Sequence, residues 1–180
     1  MEFLPFCCAH VLDDKEQQAK CVAAMQAFNA PHSLMLLELD AATMYDTAAE
    51  NQGKVFISTE LGGGGSSSAH TVGVAKKGVR NVLRHAGITK GELEVDDTLT
   101  LDMPDGRCYV VSESEGLLEL CVDLGDTVKE GDVIAKVHDI RRTGAAPEEY
   151  RAKIDGVFTG RHFPGQIRMG DFLGLVSVPV

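Results

Sequence analysis

Over its first 87 residues the chain alternates short apolar runs with amphipathic stretches, and beyond residue 91 that alternation stops. A strand-length apolar run followed by a helix-length pattern, repeated, predicts an α/β layer with mainly parallel strands. Phe3–Ala9, Ser33–Leu39 and Val55–Ile57 read as strands. Asp13 or Asp14 is placed to cap a helix through Lys15–Phe28, with Val22, Met25 and Phe28 at helical spacing and Pro31 beyond its end. Ala41–Gln52 reads as a second helix ended by Gly53. Ala69–Ala86 reads as a third, with Val72, Ala75, Val79, Val82, Leu83 and Ala86 on one face and Gly87 as its stop. Fully apolar strands need helices on both sides, so three strands make a thin sheet by that standard.

The second half is rich in Gly, Asp and Val and shows an internal repeat. Gly116 and Gly125 are followed by Gly131-Asp132, and Gly156 and Gly165 by Gly170-Asp171. Two such copies predict hairpin-like units packed around a shared core, each Gly-Asp making a tight turn. The pattern resembles the barrel-sandwich hybrid of biotinyl and lipoyl carriers. A carrier exposes a modified lysine between its halves, and His138–Pro147 contains none, so a structural or substrate-gating appendage is the better reading. The expected division is an α/β part at 1–90 and a β domain at 91–180.

The acidity is concentrated in that second half: of the net charge of −10, residues 91–180 carry −9 and residues 1–90 carry −1. Phosphate contacts need basic patches, so nucleic acid and anionic membranes are disfavoured as partners. No apolar run reaches the ~20 residues of a membrane span. The N-terminus lacks the basic region of a signal peptide. Five cysteines, with Cys7 and Cys8 adjacent and no CxxC spacing, argue against a disulfide framework or a structural zinc site and for reduced thiols in the cytoplasm.

The most informative stretch is Phe56-Ile57-Ser58-Thr59-Glu60-Leu61-Gly62-Gly63-Gly64-Gly65-Ser66-Ser67-Ser68. Its composition suits a flexible linker, although a linker seldom separates a buried strand from an amphipathic helix in one layer. As a phosphate cradle it lacks both Gly-Lys-Ser/Thr and GxGxxG, although a helix start after glycines still holds anions. In a third reading, a strand-end carboxylate before a glycine turn sits where α/β sheets place catalytic groups. Glu60 is then a general base on a water and a proton donor to a leaving amine.

Val55–Gly64, followed by Gly78-Val79-Arg80-Asn81-Val82-Leu83-Arg84-His85-Ala86-Gly87-Ile88, resembles the second half of the catalytic domain of the succinylglutamate desuccinylase/aspartoacylase family. The likeness is nearest to its branch of N-acetyl-diaminobutyrate deacetylases of ectoine breakdown, and it extends from Phe3 to the C-terminus. The resemblance implies a partial carboxypeptidase-like α/β layer followed by an all-β domain. The implied enzyme is a zinc-dependent amidohydrolase acting on small N-acyl amino acids. Glu60, with Gly62, matches the family's catalytic Glu-x-Gly. Gly62 and Gly63 become substrate-binding candidates, and Tyr45 a weaker one.

The family holds zinc through an HxxE element and a later His, all preceding the catalytic Glu, and this sequence has no HxxE. The nearest approach, His10-Val11-Leu12-Asp13, runs from a strand into a helix cap. No metal ligand is therefore assigned, and the chain is expected to be inactive alone, as a truncated gene, a cut fragment or a natural metal-free paralogue. The alternative reading is a non-catalytic binding or partner protein that retains the fold. A fragment would expose a sheet edge and form homo-oligomers or aggregates. The aspartoacylase branch has an arginine before its catalytic Glu, and Met44–Glu50 has none. That suits a substrate bearing an amine, with Asp46 or Glu50 facing it.

Overall fold

The structure, a computed structural model, describes residues 1–38 and 42–180. The chain opens with strands β1 (Glu2–Phe3) and β2 (Phe6–His10), helix α1 (Lys15–Phe28) and strand β3 (His32–Leu36). Helix α2 (Tyr45–Glu50), strand β4 (Ser58–Glu60), helix α3 (Ala69–His85) and strand β5 (Leu99–Asp102) follow. A 3-10 turn at Gly106–Cys108 leads into β6 (Tyr109–Val111), β7 (Gly116–Leu120), β8 (Thr127–Val128) and β9 (Val133–His138). The last strands are β10 (Glu148–Arg151), β11 (Gly156–Arg161), β12 (Gln166–Ile167) and β13 (Phe172–Pro179). Two compact units result. One comprises Pro5–Gly62, Ser67–Met103 and Val180; the other comprises Met1–Leu4, Gly63–Ser66 and Pro104–Pro179. Among the described residues no helix is long and apolar enough to cross a membrane.

In the first unit the strand order is β5-β3-β2-β4. β2 pairs in parallel with β3, from Phe6↔His32 to His10↔Leu36, and β3 in parallel with β5. All five residues of β2 are buried, as a central strand covered on both faces requires. β4 departs from the expected parallel arrangement: it runs antiparallel to β2, pairing Glu60 with Phe6 and Ser58 with Cys8. A parallel strand needs a crossover back to the sheet's starting end. The chain instead re-enters from the end at which β3 left, and β4 runs against β2. The strand expected at Val55–Ile57 lies three residues later, and Val55 is exposed. Of the helix expected at Ala41–Gln52, α2 is the helical part among the described residues; Leu39 and Ala41 lie outside them. Likewise the run Phe3–Ala9 is not one strand but β1 and β2, broken at Leu4-Pro5.

Helix α1 starts where Asp14 accepts hydrogen bonds from the Glu16 and Gln17 amides at 2.9 and 3.1 Å, and ends at Asn29 in the left-handed region, φ 56°. Cys21, Met25 and Phe28 from α1 pack with Cys7 and Ala9 of β2 and Val74 of α3. Each such apolar side chain contributes about 1.5–3 kcal/mol when fully buried. Helix α3 opens with a capping box between Ser68 and Thr71. Its fully buried residues are Val74, Gly78 and Asn81; of the expected face Val82 packs against the core, whereas Val72 and Val79 are exposed. Gly78 sets this rotation, because a Cβ there would lie 2.3 Å from the Phe28 ring. Two buried asparagines then tie down the segment leading to β5. Asn81 exchanges hydrogen bonds with the Glu94 backbone at 2.8 and 2.9 Å, and Asn29 with that of Asp96 at 2.8 and 2.9 Å.

The second unit is built of two sheets. One runs β1-β11-β13-β6 with β8 on β11, and the other runs β10-β9-β7-β12. Val110, Ile134, Val137, Phe158, Ile167, Leu173 and Val176 share one core between them. Three turns repeat one device: the Asp126, Asp132 and Asp171 carboxylates accept from the amides of Asp123, Lys129 and Arg168 at 2.8–2.9 Å. Each Asp thereby satisfies a turn amide that no strand partner reaches.

Candidate functional site

Glu60 ends β4 opposite Phe6, the first residue of β2. Antiparallel pairing thus carries it to the N-terminal end of the parallel pair β2–β3, a correction to the expected C-terminal end. Surrounding protein raises its carboxyl above the ordinary range by desolvation, while the residue keeps contact with solvent. A carboxylate so placed holds a proton more readily than a free one and can still reach a ligand, which suits proton transfer. Directly after it, Gly62 (φ 111°) and Gly63 (φ 148°) adopt backbone that side chains resist. At Gly63 a Cβ would stand 2.3 Å from the Met1 carbonyl oxygen, and Gly63 bridges Glu2.

His10 closes the other end of β2. Its ring is buried; Nδ1 donates to Glu50 Oε1 at 2.9 Å, and Nε2 stands 3.6 Å from Glu38 Oε1. Glu38 follows β3, and Asp46 lies in the first turn of α2. One ligand atom each from His10, Glu38 and Asp46 falls within 4.8 Å of the others. Desolvation raises the Glu38 carboxyl; His10 offsets part of that, and the neighbouring Asp46 carboxylate adds to it. The His10 ring stacks at 6.2 Å on Phe56, whose other contact is the edge of Tyr45 at 5.6 Å. A cleft of about 590 Å³ opens here, lined by His10, Leu12, Gln17, Glu38, Thr47 and Glu50 among others.

The expected site residues are therefore not all in one place. Glu60 and Gly62 flank the start of β2, whereas Tyr45 sits with Phe56 and His10 at its end, about 13 Å away at ~3.3 Å per residue. Asp46 and Glu50 turn to His10 rather than to the Glu60 turn, which removes the expectation that either faces a substrate amine there. Sequence reading passed over His10 and Glu38, because the partners of His10 lie 28 to 40 positions along the chain rather than at Asp13. The donor set suits a divalent cation, but not the catalytic zinc that the resemblance implies. A general base must come within about 3 Å of the metal-bound water, and Glu60 is at the opposite end of β2.

Residues 1–86 match the family model described as the succinylglutamate desuccinylase/aspartoacylase catalytic domain. Over 179 residues the chain is 49% identical to the N-alpha-acetyl-L-2,4-diaminobutyric acid deacetylase of Halomonas elongata, covering 98% of this chain and 52% of that protein. The product-bound structure of the ectoine utilization protein EutE (DoeB) from Ruegeria pomeroyi is 56% identical, with a TM-score of 0.95 over 98% of this chain and 54% of that one. A succinylglutamate desuccinylase from Silicibacter sp. TM1040 is 55% identical, with a TM-score of 0.92 over 99% of this chain and 54% of that one. The mixed α/β architecture agrees with these matches. Along nearly its whole length the chain is similar to members of the succinylglutamate desuccinylase/aspartoacylase family. It spans about half the length of the relatives it matches.

Proposed function

We propose that this chain carries the proton-transfer half of a deacylase that hydrolyses the amide C–N bond of a small N-acyl amino acid. The observation that carries the reading is Glu60: a solvent-accessible carboxyl at a strand end, its pKa raised by partial desolvation, followed by Gly62, where a Cβ would meet nothing nearer than 3.8 Å. Glu60 takes a proton from the water attacking the acyl carbonyl and delivers it to the departing amine. The resemblance implies a zinc ion that polarises that carbonyl, held by residues preceding Glu60. The described residues around Glu60 do not supply those ligands, so the chain alone is expected to be inactive. Gly62 lies against the substrate in this reading, whereas the space beside Gly63 is taken by the Met1 and Glu2 backbone. Residues 1–90 carry the chemistry. Of residues 91–180, the part from Pro104 onward forms a barrel-sandwich-like appendage of two pseudo-repeats, while β5 stays with the α/β unit, and the protein works in the cytoplasm.

The substrate class follows from the relatives, one named a deacetylase of an acetylated diamino acid and another a desuccinylase. A hybrid tests it, in which residues 1–180 replace the matching segment of the Halomonas elongata deacetylase. Hydrolysis of N-acetyl-diaminobutyrate by the hybrid is expected. A folded, zinc-loaded hybrid inactive on N-acetyl and N-succinyl amino acids alike would overturn the assignment.

A further inference from the structure

Among the described residues, two buried side-chain polar atoms have no hydrogen-bond partner: His10 Nε2 and Thr47 Oγ1. Both residues line the cleft at the end of β2, where Glu38 and Asp46 converge. An orphaned buried imidazole nitrogen carries a desolvation penalty unless something occupies its lone pair. A protein rarely gathers two such atoms beside two carboxylates without a ligand to satisfy them.

The geometry points to a divalent cation of the zinc class, bound by His10 Nε2 and one carboxylate oxygen each from Glu38 and Asp46. Three features carry the assignment. Nδ1 of His10 is committed to Glu50 at 2.9 Å, so the proton sits on Nδ1 and the lone pair on Nε2 faces the cluster. A carboxylate behind a histidine is the usual arrangement for orienting a metal-binding imidazole. The gap of 3.6 Å between Nε2 and Glu38 Oε1 is too long for a good hydrogen bond. It matches the ~3.4 Å edge between two ligands of a tetrahedral ion bound at about 2.1 Å.

Charge and access agree with this. The Glu38 and Asp46 carboxylates supply negative charge to a doubly positive ion, and the repulsion between two adjacent carboxylates becomes attraction to a shared centre. Three protein ligands leave a fourth position for water, and Thr47 Oγ1, in the same cleft, is available to hydrogen-bond with it. Imidazole favours zinc over magnesium, so the site discriminates between them. The cation would join the end of β2, the residue after β3–Leu37 and the first turn of α2. Its role is to tie His10, Glu38 and Asp46 to one centre rather than to serve Glu60, which lies about 13 Å away along β2.

The test is calorimetric titration of the chelator-treated 180-residue chain with Zn²⁺ and, separately, with Mg²⁺. One Zn²⁺ per chain with no measurable Mg²⁺ uptake is expected. His10→Gln and Asp46→Asn should weaken Zn²⁺ binding at least tenfold, and Glu50→Gln, acting through His10, by a smaller factor. ¹⁵N NMR of the wild-type chain provides a readout that does not depend on folding of a variant: Zn²⁺ should shift the His10 Nε2 resonance while Nδ1 keeps its proton. No zinc uptake, uptake unchanged in folded variants, or an unperturbed His10 Nε2 at saturating Zn²⁺ would overturn the proposal. None of these outcomes bears on Glu60.

Discussion

Glu60 and His10 bracket one strand: Glu60 pairs across from Phe6 where β2 begins, and His10 is the residue on which β2 ends. Groups about 13 Å apart with no shared partner act independently. Glu60→Gln and His10→Gln should therefore have additive effects on unfolding free energy, within about 0.5 kcal/mol. His10→Gln alone should cost about 1–3 kcal/mol, because it removes the partner of the buried Glu50 carboxylate. Urea denaturation of the two single variants and the double variant checks both statements.

Gly78→Ala reverses the usual helix rule. Alanine normally stabilises an exposed helix interior by about 1 kcal/mol over glycine. Here its Cβ would lie 2.3 Å from the ring of buried Phe28, so a net loss of about 1–3 kcal/mol is expected from overpacking. Phe28→Leu in the same background should recover part of it. A more stable Gly78→Ala chain would show that α1 and α3 do not meet at this point.

Thiol labelling reports the packing of β2. Burial pushes the Cys8 thiol up to about 11 and the Cys7 thiol higher still. Cys21 and Cys108 are buried, and Cys121 is exposed. A neutral disulfide reagent should modify one thiol per native chain rapidly, and Cys121→Ser should abolish that phase. All five should react in denaturant. Rapid labelling at Cys7 or Cys8 would mean that β2 is not held as a central strand.

Much of this layer was legible in the sequence, and the exceptions have physical causes. Asp14 as a cap and the span of α1 followed from a local side-chain-to-backbone device. The face of α3 did not, because hydrophobic periodicity ranks Val72 and Val79 above Gly78, whereas the Phe28 ring occupies the space that only glycine leaves. The direction of β4 did not follow either, because it is fixed by pairing with β2, a long-range contact that the apolar run Val55–Ile57 does not encode. Glu60 became a candidate through its strand-end and glycine context, which is local. The cluster at His10 was invisible, since Glu38, Asp46 and Glu50 meet it only through the pairing of β2 with β3 and the placement of α2.

The raised pKa of Glu60 sets the sign of two pH effects. Its folded value lies above its unfolded value, so ionisation costs stability at pH values above the folded pKa, and the cost disappears below the ordinary glutamate value of about 4.3. Glu60→Gln should thus stabilise the isolated chain slightly near neutrality and have no such effect near pH 4, measured by thermal melts across pH. In the hybrid deacetylase, kcat/KM should fall on the acid side at a pH above that ordinary value, as Glu60 becomes protonated and stops accepting a proton.

The central claim, that Glu60 moves the proton in amide hydrolysis, is met most directly by the steady-state kinetics of Glu60→Gln in the zinc-loaded hybrid. The account predicts a fall in kcat of about 10²–10⁴ with KM little changed, and the acid limb of the pH profile lost from the residual rate. A variant that keeps kcat within a few-fold of the parent hybrid would contradict it.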